Sequence, residues 1–533
     1  MKNISFGFLE IHMKRTISIN QGNKIVEREI NYIPVRYIIA ILITLLEILF
    51  IIGAVVALCI FVPYFYILTI ITTFACELKI ISSDDNPDYK IPWMLFVLIL
   101  PIAGFMLYFL FASRKLQKKY KKRLSDLKNL SYKKDDSVLI KQLEQKDPIA
   151  ASQARMLCNI ADTHLFTNTK QTYYPIGEEY HKALVEDLRK ATKFIYLEYF
   201  IIEEGKFWNS ILDILKEKAR QGVEVKVAYD DIGCMSTLPG NYAKILRGYG
   251  IEATPFSRLK GQADSEFNNR NHRKITVIDG NVGYTGGINI ADEYINAFAK
   301  YGHWKDVGVR LEGEGVWELT KLFLIDFGIN VKKMLQLKHD VYPGVNNVSD
   351  KGYMVPFGDG PKPLYERRVG KTVIQNMLNN ATKYVYITSP YLIVDNELCT
   401  TIENTALRGV DIRIIVPHIP DKKIVFNMTK SYYKRLINAG VKIYEYEPGF
   451  VHAKTYIADD KFAMIGTINL DYRSLVHHFE NGVWFYDCDC IADLKKDIID
   501  TLDKSIKIEN NMLKTNIFNR LFRALVKIFA PML

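Results

Sequence analysis

Residues 272–289 read HRKITVIDGNVGYTGGIN, and far downstream residues 452–469 read HAKTYIADDKFAMIGTIN. The two strings keep one register: His272, Lys274, Asp279, Gly286 and Asn289 answer to His452, Lys454, Asp459, Gly466 and Asn469. A single His-x-Lys carries little information, but two copies with the same internal spacing imply a duplicated unit. In a strand, side chains at i and i+2 share a face. His272 and Lys274 therefore reach one pocket, as do His452 and Lys454. Asp279 and Asp459, at odd offset, point the other way and are expected to hold the strand and its turn in shape while completing each motif.

The flanking sequence repeats too. In the first copy residues 194–201 form a β-branched and aromatic run, 207–220 have helical spacing, and 223–229 are a second strand-like run. In the second copy 384–388 and 411–416 read as strands, with 397–407 and 426–438 as helices, the last ending at Gly440. Alternation of the two periods builds layered α/β folds. The expected architecture is α/β: two duplicated halves, 174–345 and 346–510, around one shared active site.

Two imidazoles and two ammonium groups suit attack on a phosphodiester. The phosphorane carries extra negative charge, which preorganised lysines and asparagine amides stabilise. Asn289 and Asn469 are thus the phosphate-binding candidates, and His272, Lys274, Asp279, His452, Lys454 and Asp459 the catalytic set. One histidine serves as nucleophile; the other protonates the leaving alkoxide and then deprotonates the incoming alcohol. Imidazole titrates near neutrality and fits either role. Each ring also needs an acceptor on its other nitrogen, and Asp306 and Glu480, at comparable distances beyond His272 and His452, are the orienting candidates. Gly286, Gly287 and Gly466 either let backbone approach phosphate or simply form a tight turn.

Upstream the composition changes. Residues 37–76 are apolar almost throughout, broken by Glu47 and by Val62-Pro63, a stretch longer than one helix needs to cross about 30 Å of hydrocarbon. Two transmembrane helices meeting near Pro63 and a third over 92–112, kinked at Pro101, are expected. They form a membrane anchor at 37–112 behind a polar tail at 1–36, too long a polar lead for a signal peptide. Arg114, Lys115, Lys118, Lys119, Lys121, Lys122 and Arg123 open a basic linker at 113–173, whereas Asp84, Asp85 and Asp88 precede the third span. The positive-inside rule then sets the body in the cytoplasm, although Arg28 and Arg36 in the tail pull the other way. At 511–533, Ile517, Phe518, Leu521, Phe522, Leu525, Val526 and Phe529 interleave with Arg520, Arg523 and Lys527 as an amphipathic basic helix, fit for a membrane surface or for packing on the body. The net charge of +11 suits an anionic partner, and seven scattered cysteines suggest neither a disulfide framework nor a zinc site.

The twin strings resemble the paired H-x-K-x4-D motifs of the phospholipase D superfamily, and within it the chain looks like the cardiolipin synthases. Asp84-Asp85-Asn86-Pro87 with Gly104-Phe105-Met106-Leu107-Tyr108 is similar to their N-terminal membrane segment. So are Tyr196-Leu197-Glu198-Tyr199, Asp230-Asp231-Ile232-Gly233 and Trp304-Lys305-Asp306 in the first half, and Ser389-Pro390-Tyr391 and Asn469-Leu470-Asp471-Tyr472-Arg473-Ser474 in the second, to family stretches. The resemblance extends from about Tyr37 to the C-terminus. It implies two phospholipase D-like α/β halves around one site, no metal or nucleotide cofactor, and phosphatidylglycerol as substrate. His272 would take the phosphatidyl group from one phosphatidylglycerol, release glycerol, and pass the group to a second to give cardiolipin. Choosing His272 over His452 as nucleophile follows the superfamily pattern alone. Lys305 stands where arginine is usual, keeping the charge but losing a bidentate fork, and Phe327 stands where tryptophan is.

Other readings explain less. Gly370-Lys371-Thr372 lacks the upstream glycine of a phosphate-binding loop, Tyr365 standing in its place. Zinc on the two histidines would be repelled by the lysine two residues after each. A nuclease would need no spans and would show arginine and aromatic clusters, so the expected partners are the membrane and its anionic phospholipids, not nucleic acid. A hydrolytic phospholipase D, another phosphatidyltransferase and an inactive membrane scaffold are the alternatives.

Overall fold

The computed structural model describes residues 14–21, 24–31, 35–62, 64–111, 134–258, 268–331, 341, 348, 350–362, 364–513, 517–528 and 530. The basic run at 114–123 lies outside them. Within the polar tail, β1 (Lys14–Gln21) and β2 (Lys24–Asn31) pair antiparallel. α1 (Val35–Phe61) follows, and among the described residues it is the one helix long and apolar enough to cross a bilayer; residues 41–58 meet that requirement with none of them buried. α2 (Phe65–Ile81) has 17 residues and buries Cys76, Glu77 and Ile80.

The expected third span is two helices. α3 (Pro87–Ile99) stops before Leu100-Pro101, and α4 (Ala103–Phe111) starts afresh after Ile102, whose φ is +59°. The rings of Trp93 and Tyr108 lie 5.6 Å apart, whereas fifteen residues of unbroken helix would part them by about 22 Å. α3 and α4 therefore fold back on each other as a hairpin. Proline lacks the N–H that helix continuation needs and disfavours helical geometry in the residue before it; Leu100 accordingly leaves the helix at φ −123°, ψ 75°. Pro101 ends the helix rather than kinking it. Gly104 keeps the turn tight, since a Cβ there would meet Phe96 O at 2.6 Å.

The body is built on two large sheets of one plan. The first runs in the order Thr169–Tyr174, Gly308–Gly313, Val282–Gly286, Lys274–Ile278, Phe194–Tyr199, Glu224–Asp230, Glu252–Phe256. The second runs Tyr353–Asp359, Glu480–Tyr486, Phe462–Gly466, Thr455–Ala458, Tyr384–Thr388, Asp411–Pro417, Lys442–Tyr446 and adds Ser505–Lys507 at its edge. Strand for strand the seven match. In each, the strand that follows the motif histidine lies in the middle, antiparallel to both neighbours. Helices cover the outer faces: Lys206–Arg220 buries Phe207, Trp208, Ile211, Leu212 and Leu215, a 3.6-residue stripe against the first sheet. The helix Val316–Asn330 is instead buried nearly all round, because it packs both on the first sheet and on Tyr353–Asp359 of the second.

Part of the stretch expected as linker belongs to the body. Ser137–Lys146 and Pro148–Ala161 are helices, and Ala150, Ala154 and Leu157 enter the core of the second half with Val355 and Ile374. Asp147 caps the second of these through Ile149 and Ala150 N–H, with proline at the first helical position. The first sheet also starts earlier than expected, at Thr169.

Candidate active site

Both motifs lie where the halves meet, and backbone pairing across that seam sets their geometry. Asn271 bridges to Phe479, and His272 N–H donates to Phe479 O at 2.9 Å. On the other side Gly449–Val451 pairs in parallel with His303–Lys305, and His452 N–H donates to Lys305 O at 2.7 Å. Phe479 and Lys305 immediately precede Glu480 and Asp306. Each acid is thereby delivered to the histidine of the other half. Glu480 accepts His272 Nδ1–H with both oxygens at 3.0 Å, and Asp306 Oδ2 lies 2.6 Å from His452 Nδ1. Spacing along the chain set Asp306 beyond His272 and Glu480 beyond His452; the structure exchanges the partners.

Each ring turns Nδ1 to a fully buried carboxylate, which leaves Nε2 as the nitrogen able to face a ligand. Thr467 Oγ1 also donates to Glu480, and Val307 N–H to Asp306 Oδ1 at 2.8 Å. Lys274 Nζ donates to His272 O at 2.6 Å; Lys454 Nζ donates to His452 O and sits 2.8 Å from His452 Nδ1. Aromatic rings wall the pair: Phe200 is 5.1 Å from His272, and Tyr294, Trp304 and Phe450 lie 5.4, 5.6 and 5.9 Å from His452.

Burial dominates the electrostatics. It pushes His272 down to about 3 against the pull of Glu480, and, with Lys454 adding to it, pushes His452 down to about 4. At neutral pH both imidazoles are therefore held uncharged. Burial, then the Lys454 ammonium, lowers Lys274 to about 7, and burial lowers Lys454 to about 8. Lys274 feels Lys454, Glu480 and Asp306 together, which draws both motifs into one electrostatic site. Burial opposes ionisation of Asp306 and Glu480, yet the neighbouring histidines keep both carboxyls below the ordinary range.

The remaining candidates are placed differently. Asp279 accepts from Thr192 N–H and Oγ1–H and from Lys193 and Phe194 N–H at 2.7–2.9 Å. Asp459 does the same with Thr382, Lys383 and Tyr384 at 2.7–2.9 Å. At φ +53° and +55° both aspartates tie the turn after their strand to the start of its neighbour, outside the cleft. Asn289 spends its amide within the fold, accepting from Ile201 N–H at 3.1 Å and donating to Tyr294 OH at 2.7 Å. Asn469 is buried with Oδ1 unpartnered. Gly287 is required for a reason unrelated to phosphate: a Cβ there would collide with Asp306 Oδ1.

Other residues at the site had no signal in the spacing. His478 is buried 5.5 Å from the His272 ring, neither of its nitrogens makes a hydrogen bond, and its Nδ1 lies 3.7 Å from Glu480 Oε1. Among the described residues His272, His478 and Glu480 are the group whose donor atoms lie close enough for a metal, within 4.8 Å of one another; the Lys274 ammonium beside them opposes a cation. Arg273, fully buried, bonds Asp326 at 2.8 Å, Glu480 O at 3.0 Å and Asp359 O at 3.2 Å, and so bolts the halves together beneath His272. Lys305 meets both oxygens of Asp497 at 2.7 Å.

Comparison with known proteins agrees with this layout. The family described as "Cardiolipin synthase, PLD-like domain" matches residues 184–299 and 374–501, and "Phospholipase_D-nuclease N-terminal" matches 64–112. An uncharacterised protein of Streptococcus mutans is 42% identical over 86% of this chain and 99% of its own length. Cardiolipin synthases of Halalkalibacterium halodurans and Staphylococcus aureus are 32% and 33% identical, covering 88% and 78% of this chain and 94% and 85% of theirs. In fold, the chain is similar to a crystal structure of phosphatidylserine synthase from Haemophilus influenzae, with a TM-score of 0.53 and 16% identity, over 72% of this chain and 98% of that one.

Proposed function

Since the chain belongs to the cardiolipin synthase family of phospholipase D-like proteins, we propose that it is a phosphatidyltransferase joining two phosphatidylglycerols into cardiolipin and glycerol through a phosphohistidine. The observation that carries the reading is the exchange of acids, which leaves both Nε2 atoms available and both rings held by buried carboxylates.

His272 Nε2 attacks the phosphorus, the P–N bond forms, and the P–O bond to glycerol breaks. The phosphodiester's negative charge raises the histidines from their depressed values, so that His452 takes up a proton and gives it to the leaving glycerol alkoxide. His452, now a base, removes the proton from the terminal hydroxyl of a second phosphatidylglycerol; that oxygen forms the new P–O bond as the P–N bond breaks. Lys274 and Lys454 face the phosphorane charge. Asn469 adds an amide, whereas Asn289 acts by holding Tyr294 against His452. The aromatic walls limit water, which would otherwise take the phosphatidyl group. α1 anchors the protein in the cell membrane, and the basic run at 114–123, after the hairpin and before the body, favours the cytoplasmic side for the body.

Purified protein in vesicles of labelled phosphatidylglycerol tests this. Cardiolipin and glycerol in equal amounts are expected. Phosphatidate would point to hydrolysis, and absence of turnover to a scaffold; either would overturn the proposal.

A further inference from the structure

The loop between α2 and α3 joins the membrane anchor to the catalytic body through interlocked helix caps. Asn86 caps α3, its Oδ1 accepting Asp88 N–H at 2.9 Å, while its Nδ2 donates to Asp395 Oδ2 at 2.8 Å. Asp395 caps the helix Asn396–Leu407, accepting Leu398 N–H at 2.9 Å. Asp88 Oδ2 in turn accepts the N–H of Asn396, the first residue of that helix, at 2.6 Å. Each helix start is thus capped by its own side chain, Asp88 of the anchor also satisfies an otherwise orphaned donor of the second-half helix, and the Asn86 amide ties the two caps together. Lys371 Nζ lies 2.6 Å from Asp395 Oδ2 and balances the charge.

The joint reaches toward the cleft. Asp88 also accepts from Tyr472 OH at 3.2 Å, and the Tyr89 ring lies 5.7 Å from that of His477. Tyr472 and His477 bound the π-helical turn Arg473–His477, which runs within three residues into Glu480, the acid that holds His272. Single π-helical turns are frequent at functional sites. Beside the joint, the C-terminal helix Ile517–Ile528 touches α3 and Lys423–Asn438 and exposes Ile517, Phe518 and Leu521. Anchor, apolar ridge and the segment that leads to Glu480 are thereby joined by direct contacts.

We propose that Asn86, Asp88 and Asp395 are positioning residues that hold the cleft at a fixed height and tilt above the bilayer, so that lipid head groups enter it without their chains leaving the membrane. The proposal rests on the phosphatidyl-transfer reading for its substrate, but the joint itself does not. A body on a loose tether would sample many orientations, and only a few would present His272 to a head group confined to a plane.

The test uses full-length protein and the variants Asn86→Ala and Asp88→Ala. Turnover is measured on phosphatidylglycerol in vesicles and on dihexanoyl-phosphatidylglycerol dissolved as monomers. The vesicle rate is expected to fall at least about tenfold while the monomer rate stays within about twofold, since the loss is one of orientation and not of chemistry. Equal losses on both substrates, or no loss on vesicles, would overturn the proposal. Energy transfer from a dye on the first half to acceptors in the bilayer surface gives a readout free of turnover: a narrow distance distribution in the wild type, broadened in both variants. An unchanged distribution refutes the joint. Wild-type protein inert on both lipids, with the broadening present, would refute phosphatidyl transfer and leave the positioning role standing.

Discussion

Asp306 and His452 come from different halves of the molecule, yet their side chains approach to 2.6 Å, closer than the 3.0 Å between Glu480 and His272. Disabling an acid in one half therefore disarms the histidine of the other. Asp306→Asn and Glu480→Gln keep shape but remove the charge that fixes the tautomer, and kcat in the vesicle assay is expected to fall by about 10²- to 10⁴-fold for each. An unchanged kcat in either variant would refute the orienting role.

The same exchange makes the two histidines separable by trapping. His272→Ala should abolish any phosphoenzyme, whereas His452→Ala should form it and release product slowly, with turnover lower by at least about 10²-fold in both. Acid quenching after mixing with labelled phosphatidylglycerol, followed by peptide mapping, shows which ring carries the label. Label on His452 would reverse the assignment.

Burial and mutual repulsion set an alkaline limit. Lys274 at about 7 and Lys454 at about 8 lose their protons as pH rises, and with them the positive charge that meets the phosphorane. Because His452 enters the reaction protonated while its value in the free enzyme is about 4, kcat/KM should fall gradually above that pH, and loss of the lysine charges should steepen the fall between about pH 7 and 8. On the acid side both histidines stay neutral to about pH 4, so no descent is expected near the ordinary imidazole value. Lys274→Arg, which stays charged, should move the alkaline limb upward; a limb that does not move would exclude Lys274 as its source.

Asp279 and Asp459 belong to the motifs but face backbone amides. Their replacement by alanine should cost stability, about 1–3 kcal/mol each from the unsatisfied donors, with kcat of the folded protein within about twofold. Thermal unfolding alongside the vesicle assay separates the two effects. A large loss of kcat without a change in the unfolding midpoint would assign them to the chemistry after all.

The duplicated α/β plan was legible because it rests on local spacing: each His-x-Lys sits at the entry to a central strand, and two matching strings imply two matching sheets. The exchange of acids was not legible. Which half Asp306 and Glu480 serve depends on the pairing of Lys305 with Val451 and of Phe479 with Asn271, contacts between segments far apart in the chain. Hydropathy found the apolar length of 92–112 but not its reversal, since Pro101 in a long apolar run permits either a kink or a hairpin and packing of Trp93 on Tyr108 decides. His478 left no trace because a histidine beside a histidine has no periodicity to read. In the helix Pro148–Ala161, Asp147-Pro148 was a start signal masked by the charged residues around it.

The α3–α4 hairpin changes how the protein can be cut from its lipid. A reversal at Pro101 keeps both arms on one side of the molecule, with Trp93, Val97 and Leu107 packed against α2 as a small hydrophobic knot. Trimming the chain just after α1 would therefore leave an apolar handle still attached to the enzyme, and the resulting protein would require detergent despite having lost its one described helix long and apolar enough to cross a bilayer.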